Sequence, residues 1–258
     1  MELTVLGSGT AAPNPRRGAP GYLLRAGEEQ LLLECGAGTV DRLLRAGADP
    51  RRLDRVIITH HHPDHIGEIA HLLFSFRRPV HGRRLPLTVA GSAPLLSVLA
   101  RLGEVYGRSL QPRGYTLDLH DLDAAPLEGR GYRLLGVPVD HIDSSRALRI
   151  EEEGGGVLAF SGDTDACEGV VEAARGADLL VAEASFPEGF KKKGHLVPSE
   201  AGHLAQRAGA RRLLLSHFYP ECDEHDPIPP ARARFGGEVV AAEDGMIIRL
   251  NAPPGRAP

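Results

Sequence analysis

The sequence predicts a single α/β domain. Short apolar runs alternate along the chain with segments in which apolar residues recur at the spacing of a helix. Neither a linker nor a change of composition divides the 258 residues, and a chain of that length can bury a core without disulfides. We therefore expect one domain over residues 1–258, which could be built from two similar halves. We also expect the proline-rich tail over 253–258 to be frayed.

The bounds of the individual helices and strands are predicted from the spacing of apolar residues and from the glycine and proline residues that interrupt regular structure. Thr39 is expected to cap a short helix, and Pro79 is expected to break the chain before the next strand. The predicted strands are Leu3–Leu6, Tyr22–Arg25, Gln30–Glu34, Arg55–Thr59, Leu87–Ala90, Tyr115–Leu119, Arg133–Val139, Leu148–Glu152, Val157–Phe160, Leu179–Ala182, Leu213–Ser216, Val239–Val240 and Met246–Leu250. The predicted helices are Thr39–Arg45, Ile66–Phe74, Ala93–Val105, Cys167–Arg175, Ser199–Ala208 and Pro230–Arg234.

Composition narrows the class of protein. The net charge of -4 argues against broad electrostatic binding of nucleic acid and leaves room for a local basic patch. No apolar run approaches the roughly 20 residues that cross a bilayer, and no secretion signal is recognised, so a cytoplasmic location is the default. Cys35, Cys167 and Cys222 form no C-x-x-C pair, which argues against a cysteine zinc site. Scarce asparagine and 20 prolines fit a heat-adapted, thermostable protein.

The chemistry is concentrated where predicted strands end. The strand Arg55–Thr59 runs directly into an H-x-H-x-D-H pattern at residues 60–65. Three further strands end at His141, Asp163 and His217. Because a sheet presents the residues that follow its strands to a cleft at its edge, we expect these side chains to meet. Imidazole and carboxylate groups suit zinc and also iron or manganese, so the sequence predicts a metal site.

The number of ligands favours two metal ions. The seven imidazole and carboxylate groups exceed what one tetrahedral ion takes, whereas two ions about 3.5–4 Å apart that share a carboxylate would use them all. His61 lies inside the motif but is expected to point away, because its neighbours alternate. The isolated histidines are interpreted as ordinary residues with hydrogen-bond partners. They are His71, His81, His120 and His203.

This series of ligands resembles that of the metallo-β-lactamase superfamily over nearly the whole chain. The resemblance implies a four-layer αββα sandwich, the metallo-β-lactamase fold, with a binuclear site at one edge of the sheets. It also implies two sets of metal ligands that Asp163 bridges. The first set is His60, His62 and His141, and the second set is Asp64, His65 and His217.

Within the superfamily, the ribonuclease Z-like phosphodiesterase branch is the most similar. Its first loop resembles residues 6–10, and its H-x-x-S pattern resembles residues 141–145, which makes Ser144 a candidate substrate contact. Its additional histidine motif resembles Glu183 together with the later Gly194-His195-Leu196. The resemblance therefore implies that His195, held by Glu183, acts near the scissile phosphate.

The sequence also departs from this branch. The interval between His141 and Asp163 is too short for the arm with which ribonuclease Z grips transfer RNA, so we expect a small anionic phosphodiester in place of transfer RNA. Glu34 stands where the superfamily usually has aspartate. The run Lys191–Lys193 could attract an anionic substrate, with Lys193 as the candidate contact, although three lysines in a loop are more commonly a mobile, solvated run.

The resemblance implies a hydrolase in which two divalent cations activate a bridging hydroxide that attacks phosphorus. Zn²⁺ is the first expectation for these cations, and Mn²⁺ or Fe²⁺ are alternatives. Asp64 would ligate a cation and also handle the proton of the water. One alternative is a thioester or lactone hydrolase, because Thr59-His60-His61-His62 also resembles glyoxalase II; another is a non-enzymatic metal-binding protein. A homodimer fits such an enzyme, although no apolar face that would form it is recognisable in the sequence.

Overall fold

The computed structural model describes residues 1–78, 80 and 82–250. The predicted break at Pro79, the interpretation of His81 and the predicted tail over 253–258 lie outside the described residues. Within them, two seven-stranded sheets pack face to face, and helices cover their outer faces. The predicted α/β sandwich is confirmed, whereas the extent of a single domain stays a prediction.

The first sheet contains the first six strands and the last one. Its order is β14-β1-β2-β3-β4-β5-β6, and the strands from β3 to β6 are parallel to one another. The strands are β1 (Glu2–Gly7), β2 (Gly21–Ala26), β3 (Glu29–Leu33), β4 (Arg55–Ile57), β5 (Leu87–Gly91), β6 (Leu117–Asp121) and β14 (Ile247–Arg249).

The second sheet contains the remaining strands in the order β13-β12-β11-β10-β9-β8-β7. Strands β10 to β13 are parallel, and β9 is antiparallel to both β8 and β10, so β8 and β10 run in the same direction. The strands are β7 (Leu127–Gly129), β8 (Tyr132–Pro138), β9 (Arg146–Glu152), β10 (Val157–Phe160), β11 (Leu179–Glu183), β12 (Arg212–Ser216) and β13 (Glu238–Ala241).

Helices form the two outer layers because successive strand residues face opposite sides of a sheet. In β2, Tyr22 and Leu24 belong to the core between the sheets, whereas Leu23 belongs to the core beneath the first helical layer. The helices over the first sheet are α1 (Thr39–Arg45), α2 (Pro63–Ile66), α3 (Ile69–Ser75) and α4 (Ala93–Tyr106). Those over the second sheet are α5 (Glu168–Ala173), α6 (Pro198–Ala208) and α7 (Ile228–Arg232). None of the described helices is both long and apolar enough to cross a membrane.

Two sequence predictions about helices are wrong in detail. The single helix predicted over Ile66–Phe74 is divided into α2 and α3, because the amide of Glu68 donates to the carbonyl of Cys35 at 3.0 Å instead of continuing the helix. Thr39 does not cap α1; it is the first helical residue, after Gly38 at φ 80°. The cap comes from another element, since the carboxylate of Glu68 accepts from the amide of Val40 at 2.9 Å.

A buried ion cluster joins the two sheets at the start of β3. The carboxylate of Glu29 accepts a bond from the Tyr132 hydroxyl at 2.7 Å and one from Arg55 Nε at 3.0 Å. Arg130 Nη1 lies 3.2 Å from the same carboxylate. Burial alone would raise the pKa of Glu29, but the bonds from Arg55 and Tyr132 outweigh it and hold the pKa below its usual value.

Replacing Glu29 by glutamine should therefore destabilise the protein in a pH-dependent way. A carboxyl with a lowered folded-state pKa stabilises fully above its unfolded pKa of about 4.3, and this contribution is lost as the pH falls through the folded value. We expect Glu29→Gln to lower the free energy of unfolding by about 2 kcal/mol at pH 7, and by progressively less as the pH falls from about 4.3 through the lowered folded-state pKa of Glu29. Urea unfolding of both proteins across this range is the measurement, and a pH-independent difference would contradict the expectation.

Candidate metal centre

The ends of four strands meet at one edge of the sandwich. The segment after β4 carries residues 60–65, and the segments after β8, β10 and β12 carry His141, Asp163 and His217. Their potential ligand atoms form three overlapping groups, within each of which all atoms lie within 4.8 Å of one another. The groups are His60, His62, His141 and Asp163; Asp64, His65 and His217; and Asp163, His195 and His217. His61 belongs to none of these groups among the described residues, as its place in the motif predicts.

Asp163 lies between the two halves of the cluster and is almost fully buried. Its Oδ2 is 3.8 Å from His60 Nε2 and 3.9 Å from His141 Nε2. Its Oδ1 is 3.3 Å from His65 Nε2 and 3.4 Å from His217 Nε2. One carboxylate therefore presents a separate oxygen to each pair of imidazoles.

The ring nitrogens converge in a way that suits a cation. Nδ1 of His62 lies 3.0 Å from Nε2 of His60 and 3.1 Å from Nε2 of His141. On the other side, Nε2 of His65 and Nε2 of His217 are 3.2 Å apart. Imidazoles crowded nitrogen to nitrogen beside a carboxylate are the donor set of a divalent metal site, because a single cation can satisfy several lone pairs. The residues present thus fit the metal that this arrangement implies.

Burial sets the protonation of most of these imidazoles. It holds the pKa of His60 well below the usual value and lowers the pKa values of His62 and His141 as well, so all three favour the neutral, ligating form. Burial would also lower the pKa of His65, but the carboxylates of Asp163 and Glu34 outweigh it and hold that pKa well above the usual value.

Hydrogen bonds from the outer ring nitrogens orient the imidazoles. Nδ1 of His141 lies 2.8 Å from the carbonyl oxygen of Gly194, which requires the proton on Nδ1 and leaves Nε2 as the free lone pair. Nδ1 of His217 lies 2.9 Å from the Ser185 hydroxyl, which in turn donates to the carboxylate of Glu183. The sequence motif includes Gly194, but no supporting role was predicted for it or for Ser185; their place beside His195 and Glu183 is the signal that could have indicated one.

Backbone strain is confined to this region among non-glycine residues of the described chain. Only Glu34 at φ 63° and His217 at φ 59° adopt the left-handed conformation. His217 is a member of the cluster, and Glu34 Oε2 lies 3.5 Å from His65 Nδ1. Strained backbone of this kind persists where the surrounding structure requires it, which is typical of functional sites. Glutamate in place of the usual aspartate at position 34 thus still supports His65.

His195 lies beside the cluster and is held by Glu183. Nδ1 of His195 is 3.2 Å and 3.3 Å from the two oxygens of Glu183, and 3.9 Å from Asp163 Oδ2. Glu183 is buried and also accepts bonds from the amides of Thr164 at 2.6 Å and Leu196 at 3.1 Å. Burial would lower the pKa of His195, but the bond to Glu183 outweighs it and raises the pKa.

The run Lys191–Lys193 is only partly the solvated run that the sequence suggests. Lys191 is exposed, but it forms ion pairs with Asp165 at 2.7 Å and with Glu200, whose carboxylates face it from other segments. Asp165 also accepts from the amide of Gly194 at 2.9 Å, which fixes the loop that carries His195. Lys192 and Lys193 are exposed.

The predicted substrate contacts differ in their accessibility. Lys193 is exposed and directly precedes Gly194 in the sequence. Ser144 is fully buried, its hydroxyl has no described hydrogen-bond partner, and its carbonyl accepts from Ser92 at 2.8 Å. Lys193 is therefore exposed, whereas the Ser144 hydroxyl is buried.

The layered fold and the His/Asp cluster at the strand ends define a metallo-β-lactamase-type protein with residues suited to a divalent metal. The chain belongs to the family described as the beta-lactamase superfamily domain, which matches residues 29–218. An uncharacterised protein of Mycobacterium leprae is 35% identical over 263 residues, which cover 98% of this chain and 90% of that protein. Ribonuclease Z of Streptomyces avermitilis is 30% identical over 297 residues, which cover 98% of both.

Solved structures agree with this assignment. The metallo-β-lactamase fold protein YhfI from Bacillus subtilis superposes with a TM-score of 0.82 at 26% identity, covering 96% of this chain and 98% of that chain. The chain is therefore a hydrolase of the ribonuclease Z-like branch, and the resemblance seen in its motifs is confirmed.

Proposed function

We propose that this hydrolase cleaves a small phosphodiester at a centre of two divalent metal ions. The observation that carries the proposal is the position of Asp163, whose two oxygens face two different pairs of imidazoles at 3.3–3.9 Å. The first ion would be held by His60, His62, His141 and Asp163. The second would be held by Asp64, His65, His217 and the other oxygen of Asp163. The donors suit Zn²⁺ best, with Mn²⁺ or Fe²⁺ as alternatives.

The ions would supply an activated water at neutral pH and would neutralise charge on the phosphoryl oxygens. The protein's own residues would then hold protons at defined atoms and transfer them. Asp64 Oδ2 lies 3.5 Å from His217 Nε2, where its carboxylate would accept a proton from water. His195 is fixed through Nδ1 by Glu183, so its Nε2 remains available to protonate the leaving oxygen.

The fold favours a small substrate. Between His141 and Asp163 the chain forms only the hairpin of β9 and β10, with no inserted arm. Lys193 at the rim would attract an anionic ester by charge. Ser144 has no part in this proposal, because its hydroxyl is buried.

Replacing His195 by alanine tests the assignment. We expect His195→Ala to lower kcat on bis-(p-nitrophenyl)phosphate by about 10²-fold, because the proton donor is lost. The metal content should remain two ions per chain, since the ring contributes to catalysis rather than to binding either ion. Steady-state kinetics and elemental analysis on the same preparations are the measurements.

Two comparisons make this experiment specific. His203→Ala removes an exposed histidine from α6 and should leave both activity and metal content unchanged. A thioester substrate assayed in parallel should be turned over far more slowly than the phosphodiester. Loss of metal in His195→Ala would reject the role of His195, and preferential turnover of the thioester would reject the phosphodiesterase assignment in favour of a glyoxalase II-like enzyme.

A further inference from the structure

A second concave feature lies in the outer layer of the first sheet, away from the metal centre. It is a pocket of about 380 Å³ between α3, α4 and β6. Its lining includes Ile69, Leu73 and Val89, which are core residues, so the pocket reaches down to the core. Partly exposed apolar side chains also line it, among them Leu102 and Leu119. This volume is within the range of about 300–1,000 Å³ found for ligand pockets.

Gly103 is the unexpected residue in this lining. It lies inside the 14-residue helix α4, where glycine is unfavourable. A Cβ atom at this position would meet no heavy atom within 4 Å, so no close approach of another segment requires glycine here. The effect of glycine at position 103 is to keep space open within the pocket.

Helix α4 has an apolar surface that the protein does not cover. Its sequence is rich in leucine and valine, yet Leu95 is its only buried residue. Val105 is 77% exposed, although helices as apolar as this one are normally buried. The pocket therefore lies against a helix that leaves apolar side chains in contact with water.

Several arginines flank the lining residues of the pocket in the sequence. Arg101, Arg108 and Arg113 are exposed, each next in sequence to a lining residue, and none forms a salt bridge within the described part of the chain. Arg77 donates a hydrogen bond to the carbonyl of Gln111, which also lines the pocket. Glu104 is the one acidic residue in the lining. Two acidic residues are also next in sequence to lining residues: Asp118, and Glu68, whose carboxylate is bonded to the amide of Val40. The four guanidinium groups still outnumber the carboxylates, which favours an anionic group at the opening.

We propose that this pocket binds an amphiphile with one alkyl chain and an anionic headgroup. The chain would fill the space beside Gly103 and cover Leu102 and Leu119, and the headgroup would contact Arg108 and Arg113. A fatty acid and an alkyl phosphate share this chemistry. The proposal is independent of the phosphodiesterase activity, because none of the lining residues belongs to the metal centre.

Calorimetric titration with laurate and dodecyl phosphate tests the proposal. Each methylene removed from the chain should weaken binding about fourfold, the factor that corresponds to about 0.8 kcal/mol per buried methylene. Dodecyl maltoside, which has the chain without the charge, and butyl phosphate, which has the charge without the chain, should each bind at least tenfold more weakly. If laurate and dodecyl phosphate bind with similar affinity, the site recognises the chemistry that they share. If only one of them binds, the ligand is of that class, a fatty acid or an alkyl phosphate.

Gly103→Leu is the decisive variant, because position 103 lines the pocket and a Cβ atom there meets no heavy atom within 4 Å, so the added side chain is expected to fill the pocket. It should weaken laurate binding at least tenfold while the thermal midpoint stays the same or rises, since leucine favours the helix. The control is Ser97→Leu, which adds the same side chain to an exposed position of α4 outside the pocket and should bind as the native protein does. Both variants should retain native hydrolysis of bis-(p-nitrophenyl)phosphate.

Three outcomes would overturn the proposal. The first is unchanged laurate binding in Gly103→Leu. The second is competitive inhibition of phosphodiester hydrolysis by laurate, which would place the ligand at the metal centre. The third is a native protein that is dimeric by light scattering and becomes monomeric in Gly103→Leu, because the pocket would then receive a second copy of the chain. If the protein proves not to be a phosphodiesterase, only the second of these measurements is lost.

Discussion

Asp163→Asn should lower kcat for phosphodiester hydrolysis by roughly 10³-fold, together with a loss of metal from about two ions per chain to one or fewer. Asparagine keeps the size of aspartate but has one oxygen and no charge. In the native protein the two oxygens face different imidazoles, with Oδ2 at 3.8 Å from His60 Nε2 and Oδ1 at 3.3 Å from His65 Nε2. Steady-state kinetics and elemental analysis should therefore change together.

Asp143→Asn is the matched control for this change. Asp143 is an exposed carboxylate two residues after His141, and it belongs to none of the ligand groups among the described residues. The Asp143→Asn variant should retain native activity and two metal ions per chain. If Asp163→Asn instead kept both ions and native turnover, the shared carboxylate, and with it the binuclear centre, would be rejected. Urea unfolding of the two variants separates loss of metal from loss of the fold.

The ligand set is the part of the site that sequence alone could predict. An apolar run that ends in a ligand-type residue fixes both the direction of a strand and the place of the side chain at its carboxyl end. This reasoning located His141, Asp163 and His217 from three separate strands, and the structure brings them together. It required no knowledge of which sheet each strand belongs to, because the parallel strands of both sheets end at the same edge.

The supporting contacts could not be predicted in the same way, because they depend on tertiary geometry. The left-handed backbone of Glu34 and His217 has little local signal, because glutamate does not favour that conformation and histidine, although enriched in it, adopts it only rarely. Lys191 looked like part of a solvated run, yet carboxylates from two other segments pair with it. The cap of α1 likewise comes from Glu68, 28 residues away in sequence from the amide that it accepts.

Arg83, which lies outside the metal centre, also has a role that the sequence does not predict. It is fully buried, whereas its neighbour Arg84 is exposed, and the sequence does not distinguish them. The Arg83 guanidinium carbon lies 5.2 Å from the centre of the Phe76 ring, and burial lowers the pKa of this arginine. Its nitrogens donate to backbone carbonyls that precede β4 and β5, and so hold two loops together. The acceptors are Arg51 at 2.9 Å, Leu53 at 2.6 Å, Leu85 at 2.7 Å and Pro86.

Arg83→Met should lower the free energy of unfolding by about 4 kcal/mol, because several buried carbonyls lose their donor at once. Arg83→Lys should fall between this variant and the native protein, since an ammonium group cannot reach all four acceptors in the geometry of the planar guanidinium. Arg84→Met, one residue along, should change stability by less than about 0.5 kcal/mol. Urea unfolding of the three variants measures these differences. Equal destabilisation by Arg83→Met and Arg84→Met would mean that the loops are not held by the buried guanidinium, and that its bonds to the carbonyls contribute no more than solvent does.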